Sequence, residues 1–317
     1  MAPMFLVSNV AMLKAGIDSG IMAVFPSLNY RKTGELNAVL QELTEYNIKR
    51  TGGNFGVNLI VQKSNPYYKE HLAVCVEKKV PFFITSLGNP AEVIKAAHAY
   101  GAKVFCDVTN LVHAKKCHDE GCDGFIAVGQ GAGGHAGPNP LQVLVPSLRR
   151  NYPETPVIAA GGITGGNSLL SVMVLGASGA SIGTRFIAST ESQVDISYKN
   201  AIVKAGMDDI VMTTRLSGSP CTIIDTPQAK KMGYEQTWFE KYMSNNPNTK
   251  KWFKMLVQAR GMKKLEASVL PNNYQRLWCA GKASELIEDI KPVAHIVADI
   301  KAEYLQCIDD IKKGTYA

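Results

Sequence analysis

Eight short apolar runs, each followed by a segment of helical pattern, set the tightest limit on how this 317-residue chain folds. They are MAPM at 1–4, IMAVF at 21–25, FGVNLIV at 55–61, VPFFITSL at 80–87, KVFCDV at 103–108, GFIAVGQ at 124–130, PVIAAGG at 156–162 and ASIGTRFI at 180–187. Short runs rich in β-branched and aromatic residues read as buried strands. Between them, residues 33–52 place Leu36, Val39, Leu40 and Leu43 on one helical face, and residues 89–101 open with Asn89 as N-cap and Pro90 in the first turn and stop at Gly101. A strand and a helix repeated eight times predict a TIM (β/α)8 barrel. A doubly wound sheet usually has fewer strands and an early G-x-G-x-x-G turn, and that turn is absent.

The repeat ends near Ala205. Residues 206–280 carry RLSGSPCTIIDTP and KYMSNNPNTKKW, with polar, proline and glycine punctuation and no clean strand–helix period. They read as a lid or small subdomain over the barrel mouth, whose Tyr234, Trp238, Phe239 and Tyr242 either close over an apolar substrate or pack only against the barrel. Residues 281–317 are expected to form a C-terminal helix, broken at Pro292, that packs back on a barrel formed by residues 1–205.

Composition narrows the function. Thirty-four basic and 27 acidic residues are scattered, with no Lys/Arg block, so the net charge of +7 fits a basic pocket for an anionic ligand and not a nucleic-acid surface. Seven cysteines at irregular spacing, with no signal peptide before them, predict reduced thiols and a cytoplasmic protein. No apolar window is long enough to span a membrane. His113, Cys117, His118 and Cys122 offer soft-metal ligands, but their spacing matches no common zinc pattern and Cys122 begins the next strand, so a structural role and no metal are expected.

Barrel active sites lie at the C-terminal ends of the strands, and phosphate is often held by the loops after strands seven and eight. Those ends read AAGGITGGN at 159–167 and SIGTR at 181–185, where main-chain N–H groups can face an anion. A phosphosugar or flavin mononucleotide (FMN) would suit such a cup. For FMN, the ring would rest on the strand ends APM, GVN, CDV and GQGAGGH. There Asn58 supplies an amide that donates and accepts, and Met4 a soft apolar surface. The run GQGAGGHAGPNP sets His135 among glycines that admit a ligand close to the main chain, and an imidazole of pKa about 6.5 suits a base or a hydrogen-bond donor.

The ordered set MAPM, FGVNL, AGGHAG, PVIAAGGITGG, GASIGTRFI and ESQVDISYKNAI resembles the nitronate monooxygenase family, formerly called 2-nitropropane dioxygenases, which includes FMN-dependent enoyl-ACP reductases and some NADH:quinone reductases. The similarity runs over most of residues 1–226 and recurs in WCAGKASELIEDIKP. The resemblance implies a TIM barrel that holds FMN noncovalently without metal, with His135 as the active-site histidine. It also implies that Met4 and Asn58 touch the flavin ring, that Gln130 and Gly134 line the ring and ribityl region, and that Gly161, Gly162, Gly183 and Thr184 hold the phosphate. Asp107, at the end of strand five, joins this set if it points to a ribityl hydroxyl. The chain departs from the pattern at Gly131, where many relatives carry an acidic residue. The implied reaction is oxidation of alkyl nitronates by dioxygen to a carbonyl compound and nitrite. Its rivals are an enoyl-ACP reductase or a quinone reductase using NAD(P)H, and a flavin- or phosphate-binding protein without turnover. The implied partner is a small molecule, a nitronate or an enoyl thioester, with neither nucleic acid nor membrane and with a homodimer as a candidate assembly.

Overall fold

A computed structural model describes residues 1–62, 64–216, 219–245, 257, 261 and 277–315. In chain order its strands are β1 (Met22–Pro26), β2 (Asn54–Ile60), β3 (Phe82–Ser86), β4 (Lys103–Val108), β5 (Gly124–Val128), β6 (Gly134–His135), β7 (Val157–Ala160), β8 (Gly179–Ser181), β9 (Ile210–Thr213) and β10 (Cys221–Ile224). Seven of these form one parallel sheet in the order β1-β2-β3-β4-β5-β7-β8, which curls into a TIM barrel with the helices outside.

The expected first strand at 1–4 forms no ladder. Its backbone instead bridges the two ends of the sheet: Val24 N donates to Met1 O at 3.2 Å and Ala2 N donates to Ile182 O at 2.8 Å. Pro3 has no N–H to extend the pairing, and the chain turns at once, with Val7 N and Ser8 N both donating to Met4 O. The segment therefore closes the barrel with single bonds where an eighth strand would lie.

Alternation along the strands separates two apolar layers. Val24, Ile84 and Ile126, with Phe82, Phe105, Ile158 and Ala160, form the barrel interior, while Phe25, Val57, Phe83, Phe125 and Val157 face the helices. Gly56 makes this interior possible, since a Cβ there would lie 2.7 Å from the Phe82 ring. On the outside, the helix Glu35–Ile48 buries Leu36, Leu40 and Leu43 as its 3.6-residue period requires. Truncating fully buried Leu40 to alanine would cost about 2–5 kcal/mol. The helix Ala91–His98 starts beside Asn89, whose Oδ1 accepts from Ala91 N at 2.7 Å, and the chain leaves it at Gly101 with φ +85°.

Residues 206–280 contain structure that their sequence did not announce. β10 pairs antiparallel with β9 on one side and with β6, the strand that carries His135, on the other. This sheet therefore joins residues on both sides of Ala205. It covers a small core of Leu216, Cys221, Ile223, Ala229 and Leu277, and Tyr234 packs against that core with its hydroxyl donating to Asp225 Oδ1 at 2.5 Å. Tyr234 thus serves this core, whereas Trp238 and Tyr242 are 80% and 59% exposed on the helix Trp238–Asn245; the Phe239 side chain lies outside the described residues.

The C-terminal helix Val293–Lys313 begins directly after Pro292 and lies across the helix Gly166–Val174. Gly166 permits the contact, because a Cβ there would run into the backbone of Glu303 and Tyr304. Among the described residues, no helix is long and apolar enough to cross a membrane.

Candidate active site

At the C-terminal ends of β2, β3 and β4 three inward-facing polar side chains meet. Asn58 Nδ2 donates to Ile84 O at 3.2 Å and to Ser86 Oγ at 2.7 Å, and Ser86 Oγ donates to Asp107 Oδ2 at 2.5 Å. The Asn58 nitrogen is committed inside the barrel, so its Oδ1 is what remains to meet a ligand; the side chain presents an acceptor and not the donor-and-acceptor pair expected from sequence. Desolvation raises the Asp107 carboxyl to about 6, against the Ser86 hydrogen bond that lowers it. Ser86 was legible in principle, because it lies two residues beyond Ile84 and shares its inward face.

Opposite this chain, the glycine-rich ends pack on one another. After β7 the backbone takes φ +118° at Gly161 and +74° at Gly162. A Cβ at Gly162 would meet nothing within 4 Å, so the side-chain direction at this turn is open. The loop after β5 rests against this turn, since a Cβ at Gly131 would lie 3.2 Å from Gly162 N. That crowding explains why glycine suits position 131 in this chain. The same loop reaches the end of β8, where a Cβ at Gly133 would lie 3.0 Å from Thr184 Oγ1. Thr184 Oγ1 accepts from Gly281 N at 3.1 Å, which leaves its O–H to donate. Met4 closes the circle, its Sδ 3.8 Å from where a Gly183 Cβ would stand.

Gln130 and His135 are exposed on this loop and Gly134 is half-buried. Gln130 N donates to Asn139 O at 2.9 Å, Gly134 has φ +72°, and His135 is the register partner of Cys221. Thr222 Oγ1 donates to Ala132 O at 2.8 Å and fastens the loop to β10. The structure thus brings Met4, Gly161, Gly162, Gly183, Thr184 and the 130–135 loop around one mouth, and holds Asn58 and Asp107 in a hydrogen-bonded chain across it.

Arg185, next to the cup in sequence, does not serve it. Its guanidinium is buried against Asp289, donating to the backbone O at 3.0 Å and to Oδ1 at 2.5 Å. It lines a cleft of about 330 Å³ with Thr164, Lys291, Asp299 and Glu303, which contains none of the site residues named from sequence. His113 and His118 are exposed, whereas Cys117 and Cys122 are buried. His113 Nδ1 lies 3.1 Å from Thr109 Oγ1, and the His118 ring sits 4.8 Å from that of Tyr152. Among the described residues, no group of His, Cys, Asp and Glu could hold a metal ion.

A family model for nitronate monooxygenase matches residues 32–303, from after β1 into the first half of the C-terminal helix. The chain belongs to the nitronate monooxygenase family. It is 34% identical over 177 residues to a probable nitronate monooxygenase of Staphylococcus saprophyticus, covering 52% of this chain and 50% of that protein. An indene-carboxyl-CoA dehydrogenase of Mycobacterium tuberculosis is 32% identical over 180 residues, 56% of this chain and 50% of that protein. The chain thus spans about half the length of these curated relatives. FabK from Thermotoga maritima superposes with a TM-score of 0.83 at 30% identity, covering 99% of this chain and 94% of that one. A nitroalkane oxidase from Streptomyces ansochromogenes shares the fold, with a TM-score of 0.79 at 21% identity over 98% of this chain and 96% of that one.

Proposed function

We propose that the protein binds FMN at this mouth and oxidises alkyl nitronates with dioxygen to a carbonyl compound and nitrite. The observation that carries this reading is the positive-φ turn at Gly161 and Gly162, open at Gly162, which shares one mouth with Thr184, Met4 and the fixed acceptor of Asn58. Gly162, Gly183 and Thr184 would hold the phosphate through main-chain N–H groups and the threonine hydroxyl, with Gly161 making the turn. Met4 would support the ring and Asn58 Oδ1 would accept from a ring N–H, while Gln130 and Gly134 border the ring edge and ribityl chain. Asp107 acts on Asn58 through Ser86. A bound flavin supplies an electron acceptor that passes electrons on to dioxygen. His135, exposed on β6, would take the α-proton of a nitroalkane or hydrogen-bond the nitronate oxygens.

A second reading has its own support. The likeness to FabK extends over 99% of the chain, and the mycobacterial relative is named for a CoA thioester substrate. An enoyl thioester reductase using NAD(P)H would employ the same mouth, with His135 polarising the thioester carbonyl. Anaerobic stopped-flow mixing of the flavin-loaded protein separates the two. Bleaching of the flavin by a nitronate, with nitrite formed on admitting air, is the expected result. Bleaching by NAD(P)H alone, followed by reoxidation with an enoyl thioester, replaces the first reading with the second. Failure of both donors makes the protein a flavin-binding module.

A further inference from the structure

Behind the His135 strand, two cysteines face each other. Cys221 lies on β10 as the register partner of His135, and Cys279 pairs with Ile223 through an isolated antiparallel bridge. Residues 221 and 223 share one face of the strand, so Cys221 and Cys279 are diagonal neighbours on that face, with their sulfurs 3.9 Å apart. Cys221 is buried and Cys279 half-buried. Neither belongs to the proposed cofactor site, yet a Cβ on Gly134 would stand 4.0 Å from Cys279 Cβ.

We propose that Cys221 and Cys279 are an oxidisable dithiol, converted to a disulfide by a hydroperoxide and placed to couple the redox state of its surroundings to the strand that carries His135. The contact between the sulfurs divides their roles: it holds the Cys279 thiol below its usual range, while that same hydrogen bond and burial push the Cys221 thiol up. Cys279, the more accessible of the two, is the attacking sulfur. Its thiolate attacks one peroxide oxygen; an S–O bond forms, the O–O bond breaks, and the other oxygen leaves as water or an alcohol after taking a proton. The Cys221 sulfur then attacks the Cys279 sulfenic acid; the S–S bond forms, the S–O bond breaks, and the second oxygen leaves as water with the Cys221 proton. Two thiols are oxidised and one hydroperoxide is reduced. The sulfurs must approach by about 1.9 Å to reach bonding distance. That approach falls to rotation of the two cysteine side chains, because the backbone around Cys279 is held by the Tyr198 hydroxyl donating to Cys279 O at 2.6 Å and by Ile224 N donating to Trp278 O at 2.8 Å.

Peptide mapping after treatment with hydrogen peroxide tests this without any catalytic assay. In the unfolded, alkylated wild type the number of free thiols is expected to fall from the seven in the sequence to five, with a peptide joining Cys221 to Cys279 that dithiothreitol separates. Cys221→Ser is expected to leave Cys279 as a sulfenic acid trapped by dimedone, and Cys279→Ser to give neither cross-link nor dimedone label at Cys221. Seven alkylated thiols after peroxide, or a cross-link among Cys106, Cys117 and Cys122 instead, overturns the proposal. If a serine variant fails to fold, the wild-type peptide map alone decides.

Discussion

Asn58 donates to the Ser86 hydroxyl at 2.7 Å, and that bond fixes which atom of Asn58 can face a ligand. Ser86 in turn donates to Asp107, so the hydroxyl accepts on one side and donates on the other. Ser86→Ala removes the middle of the chain and frees the Asn58 amide to turn. Losing one such hydrogen bond costs about 1 kcal/mol, so FMN affinity should fall about 5-fold with the barrel intact. Fluorescence titration of the flavin-free protein measures it; unchanged affinity would mean that Ile84 O alone orients Asn58.

Asp107 gives the chain a pH signature. Its carboxyl titrates near 3.8 in the unfolded state and at about 6 in the fold, raised by desolvation. A raised carboxyl contributes stability that is fully present below the unfolded value and is lost as pH rises through the folded one, because the fold binds the proton more tightly. In the flavin-free protein this contribution should decline between pH 4 and pH 7 by at most about 3 kcal/mol. Asp107→Asn cannot ionise and still accepts from Ser86, so its stability relative to wild type should improve across that window in urea melts. Parallel pH profiles for the two proteins would remove the desolvated carboxylate from the account.

The two halves of the proposed phosphate cup should tolerate substitution unequally. Gly162 has φ +74° and borders open space, so Gly162→Val strains the backbone by about 1–2 kcal/mol and projects methyl groups where the phosphate is proposed to lie. Gly183 has φ −111°, and its added Cβ would rest at 3.7 Å from Ala2 Cβ, an ordinary contact. Gly162→Val should therefore be folded and colourless, and Gly183→Ala should be folded and yellow. Absorbance near the flavin band after gel filtration reads both, and a yellow Gly162→Val protein would place the phosphate elsewhere.

The strands of the barrel could be read from sequence because each is an apolar run with its own period and a helix after it. The N-terminal run failed as a strand because a proline and an immediate turn leave it single hydrogen bonds, which no local pattern reveals. β6 was hidden for a different reason. Two residues have no period, and Gly134–His135 becomes a strand only because Cys221 and Thr222, more than 80 residues later, pair with it. Gly161, Gly162 and Gly183 lie at strand ends that the sequence pattern marks, following β7 and β8, whereas the commitment of the Asn58 nitrogen to Ile84 and Ser86 depends on β2 and β3 being neighbours.

Where the C-terminal helix meets the barrel, Glu303 caps the helix Gly166–Val174 from outside, its Oε2 accepting from Gly166 N at 2.7 Å. A carboxylate at a helix N-terminus contributes about 1 kcal/mol, so Glu303→Gln should be mildly destabilising. Gly166→Ala should cost more, about 1–3 kcal/mol, since the new Cβ forces the two helices apart. Urea unfolding of both variants checks the order, and a harmless Gly166→Ala would mean that the helices separate freely.

His135 decides between proton chemistry and orientation. It is exposed on an edge strand that Thr222 and Cys221 hold in place, so His135→Ala should leave the strand pairing and bound FMN intact. A neutral nitroalkane must lose its α-proton before it can be oxidised, and a positioned base contributes roughly 10²–10⁴-fold to such a step. A pre-formed nitronate has already lost that proton and would forfeit one hydrogen bond. The variant should therefore lose most turnover with the nitroalkane and distinctly less with the nitronate, and the ratio of the two losses reports the base role alone. Equal losses on both substrates would leave His135 as an orienting group. Full activity on both would return it to a structural member of the β6–β10 pair.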